Sequence, residues 1–174
     1  MQVHVCSLSR LSATVEASGA RHVVTLINEG TAVDRPAAVA ANDHLFLGMN
    51  DIVAPMEGYV VPADAHVERL LGFVGGWWRT HGAQSPLVVH CWAGISRSTA
   101  AAFITACAIN PADDEEALAA ELRRLSPSAT PNLRLVTIAD RMLARDGRMV
   151  SAIEGIGRGR DAYEGEPFAL RLGR

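Results

Sequence analysis

The sequence predicts an α/β fold: a mostly parallel central sheet flanked by helices on both faces. Three observations predict it. Four short apolar runs, "VHVC" at 3–6, "HVVTLIN" at 22–28, "HLFLGM" at 44–49 and "PLVVHC" at 86–91, are bounded by Gly, Asn, Asp or Pro and read as buried strands. An amphipathic helical stretch separates the last two of these runs, and after the fourth the chain turns to a succession of helices. Strands first and a block of helices afterwards suit a sheet covered on both sides.

Each helix has its own signal. "DAHVERLLGFVGGWWRTHG" at 64–82 puts Val67, Leu70, Leu71, Val74 and Trp78 on one face, and Trp77 and Trp78 read as core and rim aromatics. "STAAAFITACAI" at 98–109 is apolar all round, the mark of a helix buried on every side, and is the expected central helix. "NPADDEEALAAELRRL" at 110–125 has Pro111 and four acids early and Arg123 with Arg124 late, matching the helix dipole. "SPSATPNLRLVTIADRMLARDG" at 126–147 turns Leu135, Ile138, Ala139 and Met142 inward, with Gly147 as the expected stop. The division expected is one domain over 1–147 and a C-terminal extension over 148–174, rich in Gly and charge, whose "EPFAL" docks on the same domain.

At 174 residues the chain suits one domain with a real core. It is 49% hydrophobic and 20% charged, with no apolar stretch both long and charge-free enough to span a bilayer. The N-terminus "MQVHVCSLSR" lacks the basic lead and apolar run of a secretion signal, which predicts a cytoplasmic protein. All 16 basic residues are Arg, and with the many alanines this points to a GC-rich bacterial genome. A net charge of −3 offers no overall field for nucleic acid or an anionic membrane, so neither is expected as a partner and any attraction for an anion has to be local. Oligomeric state has no readable signal.

Cys6, Cys91 and Cys107 fit neither a metal-ligand spacing nor a disulfide framework, so no metal and no cofactor is expected. Cys6, in an apolar strand, and Cys107, in an Ala-rich helix, read as small core residues. Cys91 differs, because it ends a strand and is followed by the loop "WAGIS" and then by Arg97 at the opening of a helix. The amides of Trp92, Ala93, Gly94, Ile95 and Ser96 can curl into an anion nest at the positive end of that helix. Gly94 frees the backbone for the curl, and Arg97 can grip two phosphate oxygens with its planar fork. The same dipoles favour the thiolate form of Cys91, and a thiolate beside a bound phosphate is a nucleophile.

"HCWAGISRS" resembles the His-Cys-x5-Arg-Ser signature of cysteine-dependent protein tyrosine phosphatases, in the "HCxAGxSRS" form of their dual-specificity branch. "SPSATPN" at 126–132 is similar to the "RPxAxPN" stretch of that branch, with Ser126 in place of the usual Arg. The resemblance covers roughly residues 20–145 and implies a two-step reaction without a cofactor: Cys91 attacks phosphorus to give a phosphocysteine, and water hydrolyses it. It implies that Arg97 and the loop amides hold the equatorial oxygens, Ser98 stabilises the departing thiolate and His90 braces the loop. Trp92 and Ile95 either shape the pocket wall or pack behind it.

The family takes the leaving group's proton from an Asp after an upstream strand, which points to Asp51 in "LFLGMNDIVAP". Asp43 precedes that strand, and Asp64 starts a helix where N-capping explains it better. The expected partner is a phosphorylated protein or a small phosphate ester. A phosphoinositide or small-molecule phosphatase keeps the same fold, though such branches carry basic residues inside the loop and "WAGIS" has none. A rhodanese-like sulfur transferase has no reason to keep both Arg97 and Asp51. Intact Cys91, Arg97 and Ser98 together argue against a non-catalytic phosphate-binding module.

Overall fold

Side chains alternate across the strands, and that alternation builds a sheet with two unequal faces. The structure, a computed structural model, describes residues 1–81 and 84–173; the expected helix end at Gly82 and the terminal Arg174 lie outside the described residues. Strands β1 (Gln2–Ser7), β2 (His22–Ile27), β3 (His44–Gly48), β4 (Leu87–Cys91) and β5 (Phe168–Arg171) form one sheet in the order β3-β2-β4-β1-β5. Val3, Val5, Val24, Leu26, Leu47, Leu87 and Val89 point into the larger core. Cys6, Val23 and Val88 point the other way, onto Leu11 and Val15 of α1 (Leu11–Ser18).

The larger face carries α2 (Asp64–Thr80), α3 (Arg97–Ile109), α4 (Glu115–Leu125), α5 (Leu133–Met142) and α6 (Arg148–Ile156). Helix α3 is buried from Arg97 through Cys107, as its unbroken apolar composition requires. Trp77 is buried and donates its indole N–H to the Ser85 carbonyl at 3.0 Å, while Trp78 packs at the edge of the core. Helix α4 starts later than Pro111, at a cap where the Asp114 carboxylate accepts the Ala117 N–H at 2.8 Å. Leu8 and Gly165, whose N–H groups reach the carbonyls of Trp92 and Ala93, flank the site that the fold assembles at the carboxyl ends of the strands.

The sheet is mostly parallel, as expected: β1, β4, β2 and β3 run parallel, and β5 lies antiparallel to β1 at one edge, with Leu170 opposite Val3. The tail reaches β1 from the carboxyl edge of the sheet over residues 157–167, and entering from that edge needs no crossover helix. Gly147, with φ of +85°, begins α6 rather than stopping α5. The chain has already reversed through Ala144 and Asp146, both at φ of +52°.

A buried ion pair ties the helices together. Arg145 donates to Glu115 at 2.8 Å and to the carbonyls of Pro111 at 3.1 Å and Cys107, closing the last turn of α3. Arg145→Ala leaves the Glu115 carboxylate buried with only Arg148 near it, at 3.6 Å. The expected result is a loss of about 3–5 kcal/mol in urea unfolding, and unchanged stability would show that Arg148 replaces the pair. Among the described residues no helix is long and apolar enough to cross a membrane.

Candidate active site

The parallel strands deliver their carboxyl ends to one edge, where open α/β sheets bind ligands. Cys91 ends β4, Asn28 follows β2, and Met49, Asn50 and Asp51 follow β3. Cys91 is 2% exposed, and its Sγ lies 3.1 Å from the hydroxyl of Ser98 in the first turn of α3.

The loop between them is held by its carbonyls. The Trp92 carbonyl accepts the Leu8 N–H at 3.2 Å, Ala93 the Gly165 N–H at 2.8 Å, Ile95 the Thr130 N–H at 2.9 Å, and Ser96 the Ala100 N–H at 2.9 Å. In a planar trans peptide the C=O and the following N–H point opposite ways. Carbonyls tied outward therefore aim the N–H groups of residues 93, 94, 96 and 97 inward, over Cys91. Gly94 has φ of +73°, and a Cβ there would come within 2.8 Å of the Ser7 nitrogen. Backbone conformation and space both demand glycine at this position.

Arg97 is 4% exposed, and its guanidinium donates to Asn28 Oδ1 at 2.9 Å and to the Met49 carbonyl at 2.6 Å. These two contacts, from the ends of β2 and β3, fix the plane of the fork. Its Nε is buried without a hydrogen-bond partner, 4.0 Å from Asp51 Oδ2. A buried cationic N–H left open at the mouth of an amide nest is a donor suited to an anion's oxygen.

Asp51 lies over the loop. Its Oδ1 accepts from the Ser96 hydroxyl at 2.7 Å and from the Asn132 amide at 2.8 Å. Asn132 is 4% exposed, and its own Oδ1 caps α5 by accepting the Leu135 N–H at 3.1 Å. One side chain thus joins the Asp51 loop, the cradle and a helix start. Asp43 faces His22 at 3.4 Å instead, and Asp64 pairs with Arg141 at 2.5 Å rather than capping α2.

His90 is fully buried behind the loop, with Nε2 at 2.6 Å from the Thr25 hydroxyl, which also meets His44 Nε2 at 2.7 Å. Burial pushes His90 down to about 4, against a smaller pull from the Cys91 backbone, so the imidazole is neutral at ordinary pH. Trp92 is 60% exposed at the rim, and Ile95 is half-buried. A hollow of about 550 Å³ is lined by the polar Asp51, Ser96 and Asn132 and the apolar Val53, Met56 and Pro131.

Cys91, Arg97, Ser98 and Asp51, chosen from the sequence, thus come to one place, with His90 behind them. Sequence reasoning missed Asn28, Thr25 and Asn132 as partners. Asn28 had the signal of a polar residue directly after a buried strand, and Asn132 that of a helix cap; Thr25 had none. Cys6 stands on the strand beside Cys91 but faces α1, and burial pushes its thiol up to about 12.

No protein-family model and no curated protein matches this sequence. Solved structures do. The chain is similar to the Cydia pomonella PTP-2 phosphatase, with a TM-score of 0.61 at 22% identity over 80% of this chain and 84% of that one. It is similar to DUSP15, with a TM-score of 0.63 at 15% identity over 88% and 90%. A third likeness is to the human tyrosine phosphatase-like serine/threonine/tyrosine-interacting protein, with a TM-score of 0.63 at 16% identity over 83% and 92%. At these identities the likeness establishes the fold, which is that of the protein tyrosine and dual-specificity phosphatases.

Proposed function

We propose that this chain is a phosphomonoester hydrolase of the protein tyrosine or dual-specificity phosphatase type, acting through a phosphocysteine. The observation that carries the reading is the set of groups at the carboxyl edge: Cys91 Sγ with the Ser98 hydroxyl 3.1 Å from it, and the buried, open Nε of Arg97 4.0 Å from Asp51. The fold likeness supports it.

The substrate phosphoryl group sits in the cradle, its oxygens taking the amides of residues 93, 94, 96 and 97 and the Arg97 fork. The Cys91 thiolate attacks phosphorus from below while the ester oxygen leaves on the opposite side, toward Asp51, which supplies its proton. Water then attacks the phosphocysteine, with Asp51 as base, and the Ser98 hydroxyl donates to the sulfur as it departs as thiolate. Asn28 and the Met49 carbonyl keep the guanidinium in plane through both steps, so little reorganisation is needed when charge develops. His90, neutral and held by Thr25, braces the loop from behind.

The substrate class is a phosphorylated protein or a small phosphate ester, with the apolar wall of Val53, Met56 and Pro131 beside the leaving group. The tail over 148–174 belongs to the same domain in this reading, and the enzyme works in the cytoplasm without metal or cofactor.

Hydrolysis of a chromogenic aryl phosphate tests the reading, with Arg97→Lys as the diagnostic variant. Lysine keeps the charge but cannot donate to Asn28, the Met49 carbonyl and two phosphoryl oxygens at once. The expected drop in kcat/KM is about 10²–10³-fold, the scale for losing an oxyanion donor. A wild-type protein that binds phosphate but turns over no phosphomonoester would leave only the binding-module reading.

A further inference from the structure

The segment between α6 and β5 runs along residues 127–130, which lead to Asn132, and then along the cradle loop at Ala93 and Gly94. Arg123 donates to the carbonyls of Ile156 at 2.9 Å and of Gly157 and Ala129 at 2.8 Å. The Gly159 N–H reaches the Thr130 hydroxyl at 3.1 Å, and the Arg160 N–H reaches the Pro127 carbonyl at 2.8 Å. Further on, the Glu164 carboxylate accepts from the hydroxyls of Ser7 and Ser9, at the end of β1 and just beyond it. Gly165 then donates its N–H to the Ala93 carbonyl at 2.8 Å.

Fit along this path is close. A Cβ at residue 159 would lie 2.5 Å from the Ser128 carbonyl carbon, and one at residue 165 would lie 3.0 Å from the Gly94 oxygen. Gly94 is therefore sandwiched, with the end of β1 on one side and the tail on the other.

The 93–94 peptide is the weak point of the cradle. Its orientation depends on the ψ of Ala93 and the φ of Gly94, and glycine permits both signs of φ. Nothing intrinsic to the loop stops that peptide from turning its N–H away from the anion. Contacts from within the loop and α3 do not reach the Ala93 carbonyl; the tail does.

We infer that Glu164 and Gly165 are positioning residues for phosphate binding: anchored on Ser7 and Ser9, the tail ties the Ala93 carbonyl outward and so aims the Gly94 amide at a phosphoryl oxygen. This rests on the phosphatase reading and assigns the tail a part in it. The serine donors hold the Glu164 carboxyl below its usual range, so the anchor is ionised at neutral pH.

The test titrates the full-length, ¹⁵N-labelled protein with inorganic phosphate, following the Gly94 amide, and measures KM and kcat on an aryl phosphate. Glu164→Ala and Gly165→Ala should raise the phosphate Kd and the KM about tenfold, with a smaller change in kcat, as expected for one misdirected donor to a charged ligand. The phosphate-induced shift of the Gly94 amide should shrink in both. Glu164→Gln keeps an acceptor for Ser7 and Ser9 and should restore binding to within about twofold. Gly155→Ala, where a Cβ meets open space, is the control and should behave as wild type. If the variants lose thermal stability but bind phosphate as wild type does, with the Gly94 shift intact, the inference is overturned while the phosphatase reading stands. Should Glu164→Ala fail to fold, Gly165→Ala against Glu164→Gln decides the matter in the same way. A wild-type protein that neither binds phosphate nor hydrolyses an aryl phosphate overturns both.

Discussion

Cys91→Ser will hydrolyse no measurable aryl phosphate and will still bind inorganic phosphate. The serine oxygen takes the place of Sγ with little change in volume, and every group that shapes the cradle stays. Asn28 and the Met49 carbonyl still hold Arg97, and the carbonyls of Trp92, Ala93, Ile95 and Ser96 are still tied outward. Only the nucleophile is lost, because a serine hydroxyl is a far weaker nucleophile than the sulfur it replaces. The fall in kcat should reach about four or more orders of magnitude, as when a nucleophile is removed from other covalent catalysts. Cys6→Ser and Cys107→Ser are the matched controls. Burial pushes both thiols up to about 12, and neither reaches the cradle, so each variant should keep most of its activity. Wild-type turnover in Cys91→Ser would sink the covalent mechanism; loss of activity in Cys6→Ser alone would move the chemistry to the other face of the sheet.

Asp51→Asn will show a loss that depends on the leaving group. Phenyl phosphate, whose phenolate needs a proton, should slow by about 10²–10⁴-fold, while an aryl phosphate with an acidic phenol should slow far less. Asparagine keeps the volume and can still accept from Ser96 and Asn132, so the loop should stay in place. Asp43 and Asp64 face His22 and Arg141 rather than the cradle. Asp43→Asn and Asp64→Asn should therefore leave both substrates unaffected. A uniform loss on both substrates in Asp51→Asn would assign this carboxylate to holding the loop rather than to proton transfer.

Much of the site was legible because its chemistry is contiguous. Cys91, the loop, Arg97 and Ser98 fall within one strand–loop–helix segment, where apolar content, a glycine and a single cation report local geometry directly. The four parallel strands were legible for the same reason: each is a short β-branched or leucine-rich run whose burial does not depend on which neighbour it pairs with. Helices α1 and α6 were not. In "LSATVEAS" only Leu11, Thr14 and Val15 are buried, and in "RMVSAIEGI" the buried Met149, Ala152 and Ile153 are diluted by Arg, Ser and Gly. Strand β5 is four residues at an edge, and its antiparallel sense depends on the direction from which the tail arrives.

The sequence by itself determined which residues make the candidate site, Cys91, the loop over 92–96, Arg97 and the carboxylate of Asp51 after β3, since residue type and spacing within a few positions suffice for each. Tertiary structure alone decided what holds them. Asn28 meets Arg97, Asn132 meets Asp51, Thr25 meets His90 and Gly165 meets Ala93 only after the order β3-β2-β4-β1-β5 has brought distant strand ends and the tail to one edge. That order follows from burying both faces of the sheet and from the handedness of the crossovers, terms that sum over the whole chain and leave no mark in any short window of it.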